Sequence, residues 1–198
     1  MIALLDYGSG NLRSAERAFA DAGAEVLVTS DPEICKDAAA LVVPGVGAFG
    51  ACITQLRRAG GEEVISKAVA AGKPLFGICV GMQILFSAGI EKGLHTGLAL
   101  FDSTVESLEA PVLPHIGWNT LEGAEDSKFY RGVENSHFYF VHSYAANSSP
   151  ENAISVWSNY GNDFVASIER DNIFATQFHP EKSGEAGLRL IKNWVESL

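Results

Sequence analysis

Cys79 lies in Gly77-Ile78-Cys79-Val80-Gly81, between an apolar run and a segment of helical spacing. A G-x-C-x-G pattern in a strand-to-helix connection meets the requirement for a nucleophile elbow. Small flanking residues let the backbone turn tightly and hold the residue at the apex strained and exposed. A helix N-terminus behind the sulfur favours the thiolate. The N–H groups that follow point at an oxyanion formed there. A thiolate also needs a group to give and take protons. Of the five histidines, His179 stands directly after the apolar strand Ile173 to Phe178, where an α/β sheet presents its chemistry. Glu181, two residues on, is placed to orient the imidazole and stabilise its charged form. A buried structural cysteine and a plain His-Pro-Glu turn are the competing readings. The two motifs together favour a Cys79-His179-Glu181 triad.

Other segments bear on the same chemistry. Pro44-Gly45-Val46-Gly47 follows the apolar run Leu41 to Val43 and can bring a second N–H to an oxyanion hole beside that of Val80. A plain βα turn is an equally good reading of that loop alone. Gly8-Ser9-Gly10-Asn11 also follows a strand, but Arg13 replaces the third glycine of a dinucleotide loop and no P-loop lysine is present. Nucleotide binding is rejected there. No metal site is visible: His137 and His142, five residues apart, point to opposite faces of a strand.

Alternating elements are expected to position these residues. Ile2 to Leu5, Ala24 to Thr29, Leu41 to Val43 and Leu75 to Ile78 read as strands. Helices are expected after the Gly8–Asn11 turn (Leu12, Ala15, Phe19 and Ala22 inward, Gly23 as stop), over Glu62 to Ala71, and over Val80 to Ala88 with Gly89 as stop. This alternation predicts an α/β fold with a mainly parallel sheet covered on both faces. From about Leu98 to Phe178 the runs are short and β-rich: Phe138 to Tyr144, Ala153 to Trp157, Phe164 to Ile168 and Ile173 to Phe178. They predict antiparallel strands appended to the parallel sheet. A final helix carries Leu188, Ile191, Val195 and Leu198 at helical spacing. No repeat or long linker divides the chain, so residues 1–198 are expected to form a single domain.

Composition narrows the function classes. The 198 residues are 47% hydrophobic and 19% charged, enough to bury a core. Lys plus Arg number 14 against 24 Asp plus Glu, a net charge of −10 that repels a nucleic-acid backbone. No apolar run approaches the roughly 20 residues of a membrane helix. The opening segment lacks a basic n-region, and Asp6 interrupts its apolar stretch, unlike a secretory signal. Three cysteines, Cys35, Cys52 and Cys79, cannot all pair internally, and the expectation is a reducing cytoplasm.

Gly77-Ile78-Cys79-Val80-Gly81-Met82-Gln83 together with Gln177-Phe178-His179-Pro180-Glu181-Lys182-Ser183 resembles the class I glutamine amidotransferases. Asp6 to Leu12, Pro44 to Phe49, Pro114 to Asn119 and Tyr139 to Tyr144 further resemble, within that family, the glutaminase subunits of imidazole glycerol phosphate synthases. The resemblance spans essentially the whole chain and implies a flavodoxin-like α/β fold with no cofactor. It implies that Cys79 attacks the glutamine side-chain amide, that His179 protonates the departing ammonia, and that Glu181 orients His179. Gly45, Val46, Gly47 and Val80 correspond to the oxyanion positions, and the loop is thought to rearrange before its N–H faces the oxyanion. Gln83, Glu91, His142 and Ser143 correspond to the glutamine contacts. Asn11, Trp118, Tyr139 and Lys182 correspond to the interface with a (β/α)₈-barrel cyclase subunit, the partner in a heterodimer of histidine biosynthesis. Val80 departs from the more usual Leu, a conservative change. The glutaminase of another synthase, such as pyridoxal phosphate synthase, is an alternative; Pro114–Asn119 and Tyr139–Tyr144 argue against it. A non-catalytic partner-binding homologue is disfavoured by the intact triad. A cysteine peptidase of the DJ-1-like superfamily would need neither Gln83 nor the His-Pro-Glu turn.

Overall fold

The computed structural model describes residues 1–198. The first half runs β1 (Ile2–Leu5), α1 (Leu12–Asp21), β2 (Val26–Thr29), α2 (Pro32–Asp37), β3 (Ala40–Gly45), α3 (Phe49–Arg58), α4 (Gly61–Ala70), β4 (Leu75–Cys79) and α5 (Val80–Gln83). The second runs β5 (Phe86–Ile90), β6 (Leu94–Thr96), β7 (Phe101–Ser107), β8 (His115–Asn119), β9 (Phe138–His142), β10 (Tyr144–Ala146), β11 (Ile154–Tyr160), β12 (Asn162–Arg170), β13 (Ile173–Thr176) and α6 (Gly184–Val195).

β1, β3, β4 and β13 are buried along their whole length, as strands with no solvent face must be. They form the centre of a seven-stranded sheet ordered β11-β12-β13-β4-β3-β1-β2. The pairings from β2 to β13 are parallel, and β12 and β11 extend the sheet in antiparallel fashion. The core joins this sheet to its helices through aromatic edges. Phe19 of α1 and Trp194 of α6 meet at 5.7 Å, and Trp194 reaches Phe76 of β4 at 5.3 Å.

Several expectations need correction. The helix expected over Val80 to Ala88 stops at Gln83, and Phe86–Ile90 is strand β5. Periodicity cannot distinguish helix from strand in a short apolar run. Here pairing decides: β5 lies parallel to β7 and antiparallel to β6 in a second sheet, ordered β10-β7-β5-β6. Ile173–Thr176 is not an appended antiparallel strand. It pairs in parallel with β4 and is antiparallel only to β12. The run Phe138 to Tyr144 divides at Ser143, where the carbonyl accepts from Leu108 N–H. β9 pairs with β8 in a separate two-stranded sheet, and β10 joins β7.

The buried face of α6 is Gly187, Leu190, Ile191 and Trp194, while Leu188 and Leu198 are exposed. Seating Trp194 among Phe19 and Phe76 sets the helix rotation. Pro44 and Gly45 continue β3 rather than ending it, and helices α2 and α3 were not anticipated.

Candidate active site

The C-terminal ends of β1, β3, β4 and β13 converge, the position where open parallel sheets hold their ligands. Cys79 ends β4 with φ +56° and ψ −114°, a strained conformation for a residue with a side chain. Space forces this turn. A methyl group at Gly81 would run into the Val43 carbonyl, and one at Gly45 would run into Gly81 N. The turn after Cys79 and the end of β3 therefore touch backbone to backbone. The helix behind Cys79 is one turn long, so its N-terminal field is a fraction of that expected from a longer helix.

The chain end of β13 leads through Gln177 and Phe178 to His179. His179 Nδ1 lies 2.7 Å from Glu181 Oε1, and both side chains are almost wholly buried. The other carboxylate oxygen, Oε2, is buried without a partner. Burial alone would lower the His179 pKa. Hydrogen bonding and charge from Cys79 and Glu181 outweigh burial and raise it to about 10. The side chain is thus poised as a proton donor between a sulfur and a carboxylate.

A pocket of about 320 Å³ opens over these groups, lined by Val46, Gly47, Cys79, Val80, Gln83, Glu91, Pro114, Val141, His142, Ser143, Tyr144, His179 and Lys182. Two of the three expected triad residues, Cys79 and His179, three of the four oxyanion residues and all four expected glutamine contacts share it; Glu181 stands behind His179, and Gly45 lies beneath. Glu91 sits at the tip of the β5–β6 hairpin, not at a helix end. Its Oε2 accepts from Phe49 N–H at 2.8 Å, at the start of α3. Gln83 Nε2 donates to Tyr144 O at 2.8 Å and to Gln177 Oε1 at 2.9 Å.

His142 lies in a buried chain of hydrogen bonds. Its Nδ1 is 3.0 Å from Tyr144 O and its Nε2 is 3.2 Å from His115 Nδ1. A carbonyl can only accept, so His142 carries its proton on Nδ1, and His115 Nδ1–H donates to His142 Nε2. Burial, with the neighbouring histidine charges, pushes His142 down to about 3; burial lowers His115 as well. Both rings are neutral and hold the Ser143–Tyr144 corner in place.

The Val46 N–H does not face the pocket. It donates to Ser9 Oγ at 3.2 Å, and that hydroxyl donates to Val46 O at 3.0 Å. Tyr7 Oη donates to Pro44 O and lies 3.1 Å from Cys52 Sγ. Tyr7, Ser9 and Cys52 thus back the Pro44–Gly47 loop, a role that sequence reasoning missed. The signal available was the Gly8–Asn11 turn, which comes after β1 as Val46 and Gly47 come after the adjacent β3.

At the pocket mouth, Trp118 is 55% and Ile116 60% exposed on one face of β8. Trp118 crosses Tyr139 at 5.9 Å, and Tyr139 O accepts from His179 N–H at 2.9 Å. Lys182 is exposed beside them. Asn11 caps α1, whose body packs against the Pro180–Lys182 turn.

The sequence profile of the family glutamine amidotransferase class-I matches residues 3–198. The chain belongs to the class I glutamine amidotransferases. Within this family it is 51% identical to imidazole glycerol phosphate synthase subunit HisH of Mycolicibacterium paratuberculosis, over the whole of this chain and 98% of that one. It is 50% identical to the protein of the same name from Thermobifida fusca, with the same coverage. Among solved structures, a glutamine amidotransferase superposes with a TM-score of 0.79 at 22% identity, covering 98% of this chain and 97% of its own. PurLQS from Thermotoga maritima superposes with a TM-score of 0.74 at 18% identity, covering 99% and 97%. These two likenesses establish the amidotransferase fold.

Proposed function

We propose that this chain is the glutaminase subunit of an imidazole glycerol phosphate synthase, with residues 1–198 acting as one amidotransferase domain. The observation that carries the reading is that His179, buried and held 2.7 Å from Glu181, shares one pocket with a cysteine at positive φ. The half-identical relatives named as that synthase's subunit supply the choice of synthase.

Cys79 Sγ attacks the side-chain amide carbon of glutamine, and the tetrahedral oxyanion takes N–H donors from Val80 and, once turned, from the Val46 loop. His179 gives its proton to the departing nitrogen, which leaves as ammonia, while Glu181 Oε1 holds the imidazole in register. The now neutral His179 takes a proton from water, and the water oxygen attacks the thioester carbon. The C–S bond breaks, its electron pair returns to Sγ, and glutamate leaves. Glu91, a carboxylate at the pocket wall, pairs with the substrate α-ammonium, and Gln83, His142 and Ser143 position the rest.

Ammonia passes to a (β/α)₈-barrel cyclase subunit that forms imidazole glycerol phosphate and aminoimidazole carboxamide ribonucleotide. Trp118, Ile116, Tyr139, Lys182 and Asn11 form its docking face. The exposed apolar row at the pocket mouth supports this placement, because a monomer gains nothing by leaving such a row in water. No helix is long and apolar enough to cross a membrane, and three free thiols suit a reducing cytoplasm.

The test is glutamate release from glutamine, with the chain alone and with the barrel subunit plus its nucleotide substrate. Strong stimulation by the pair, abolished in Cys79→Ala, is expected. Absence of glutamate in both states overturns the reading.

A further inference from the structure

Gln177 is buried to within 1% of its surface, and the triad does not use it. Its backbone N–H is satisfied by Ala166 O at 2.8 Å, so the strand alone anchors the residue. The carboxamide is free to serve something else. The orientation of that carboxamide follows from a fixed point. Tyr144 O is a backbone carbonyl and can only accept, so the Gln83 atom 2.8 Å away is its amide nitrogen. The second hydrogen of that nitrogen points at the near amide atom of Gln177, 2.9 Å away, which must therefore be oxygen. The remaining terminal atom of Gln177 is its NH₂ group, and it lies 3.8 Å from Cys79 Sγ. Turning Gln177 over would set two donors face to face, and turning Gln83 over would set its oxygen against two other acceptors, each a costly arrangement in a buried site.

We propose that Gln177 is a further catalytic residue, touching the reacting sulfur with an N–H whose direction is set by the Tyr144 carbonyl through Gln83. The proposal rests on Cys79 being the nucleophile, and it gives Gln177 two tasks. Before attack, the N–H donates to the negatively charged sulfur and holds it aimed into the pocket, where α5, only one turn long, gives little help. During deacylation, when the C–S bond breaks and the electron pair returns to Sγ, the same N–H meets the developing negative charge. The chain of amides also ties the sulfur to the Ser143–Tyr144 corner. A substrate that seats against that corner therefore acts on the same chain that orients the donor.

The experiment follows alkylation of Cys79 by iodoacetamide in the complete chain from pH 5 to 9, with the adduct located by mass spectrometry. Gln177→Met keeps the length of the side chain and removes the donor. Gln177→Glu keeps the shape and sets a carboxylate against the sulfur. We expect alkylation at pH 7 to slow about tenfold in the first, the effect of losing one hydrogen bond to a charged atom, and further in the second. Gln83→Met leaves Gln177 in place but frees its amide, and an intermediate slowing is expected. Steady-state glutamate release should show kcat falling in Gln177→Met with KM within about twofold. Alkylation rates of the Gln177 variants and of Gln83→Met within twofold of the parent across the pH range overturn the proposal. If a Gln177 variant does not fold, Gln83→Met alone decides. Alkylation reads the sulfur without turnover. A parent chain that alkylates as expected but releases no glutamate therefore defeats the glutaminase reading, not the role of Gln177 beside the sulfur.

Discussion

Ser9→Ala removes one oxygen atom and should raise glutamate release by the chain on its own. In the parent chain the Ser9 hydroxyl accepts from Val46 N–H and donates to Val46 O, holding the loop with its N–H turned away from the pocket. Turning that N–H toward an oxyanion breaks both bonds. Each neutral hydrogen bond contributes about 0.5–1.5 kcal/mol net. Val46 is 43% exposed, so water recovers part of the loss, and the pair is worth about 1–2 kcal/mol. Removing it moves the ratio of turned to resting loop by about 5- to 30-fold, since about 1.4 kcal/mol is a factor of ten. In the proposed mechanism only the turned loop completes the oxyanion hole. Glutamate release by the chain without its partner should therefore rise by that factor, and stimulation by the barrel subunit should shrink correspondingly. The assay is coupled detection of glutamate, with and without the partner, at saturating glutamine. A partner-free rate within twofold of the parent would refute the reasoning, because the Ser9 bonds would then not be what holds the loop at rest.

The His179–Glu181 pair gives a second prediction: Glu181→Gln withdraws a charge that helps hold His179 near 10, and kcat should fall about a thousandfold while the chain still folds. A loss under tenfold would leave Glu181 a bystander. Stability should also depend on pH in a predictable direction. The folded chain keeps His142 neutral down to about 3 and His115 below its usual value, whereas unfolded histidines take protons from about 6.5. That contribution is present above 6.5 and is lost as pH falls; at pH 5 His142 alone accounts for about 2 kcal/mol. His179, raised to about 10, acts in the opposite sense: its contribution is full below 6.5 and is lost as pH rises toward 10. Urea unfolding should thus be hardest near neutrality, and His142→Gln should flatten the acid limb; equal stability at pH 7 and 5 in the parent contradicts this. Lastly, Lys182→Ala, at the exposed mouth of the pocket, should release glutamate in excess of cyclised product in the two-subunit enzyme. Unchanged stoichiometry removes Lys182 from the coupling.

The parallel core was legible because β1, β3 and β4 are buried on both faces and so read as unbroken apolar runs. The elbow was legible because Gly77 and Gly81 flank Cys79: backbone contact tolerates no side chain at Gly81, and the space at Gly77 is tight. The second sheet was not. Phe86–Ile90 has the same composition as a helix continuation, and only its pairing with β6 and β7, distant information, makes it a strand. The final helix was legible but its buried face was not: Leu188, Ile191, Val195 and Leu198 fit a helical stripe, but Trp194 has the larger surface to bury and turned the helix toward Phe19. At the site, Cys79, His179, Glu181, Gln83 and Glu91 stood out as residues, but Ser9 and Gln177 did not. Their roles lie in which atom faces which, a matter of orientation that residue type and spacing do not carry.

The backbone contact between Gly45 and Gly81 has a mechanical consequence. Gly45 is paired with Cys79 across the sheet and pressed against the turn that follows it, so these two segments move as a single rigid block. Freedom begins one residue later, at exposed Val46 and at Gly47, where φ is +88° and the surroundings are open. The loop can therefore respond by pivoting a peptide unit on a fixed base, like a latch hinged to a door frame. A signal arriving from the docking face need not displace a strand or a helix. Solution scattering should see the same particle before and after, while amide exchange at Val46 alone registers the change.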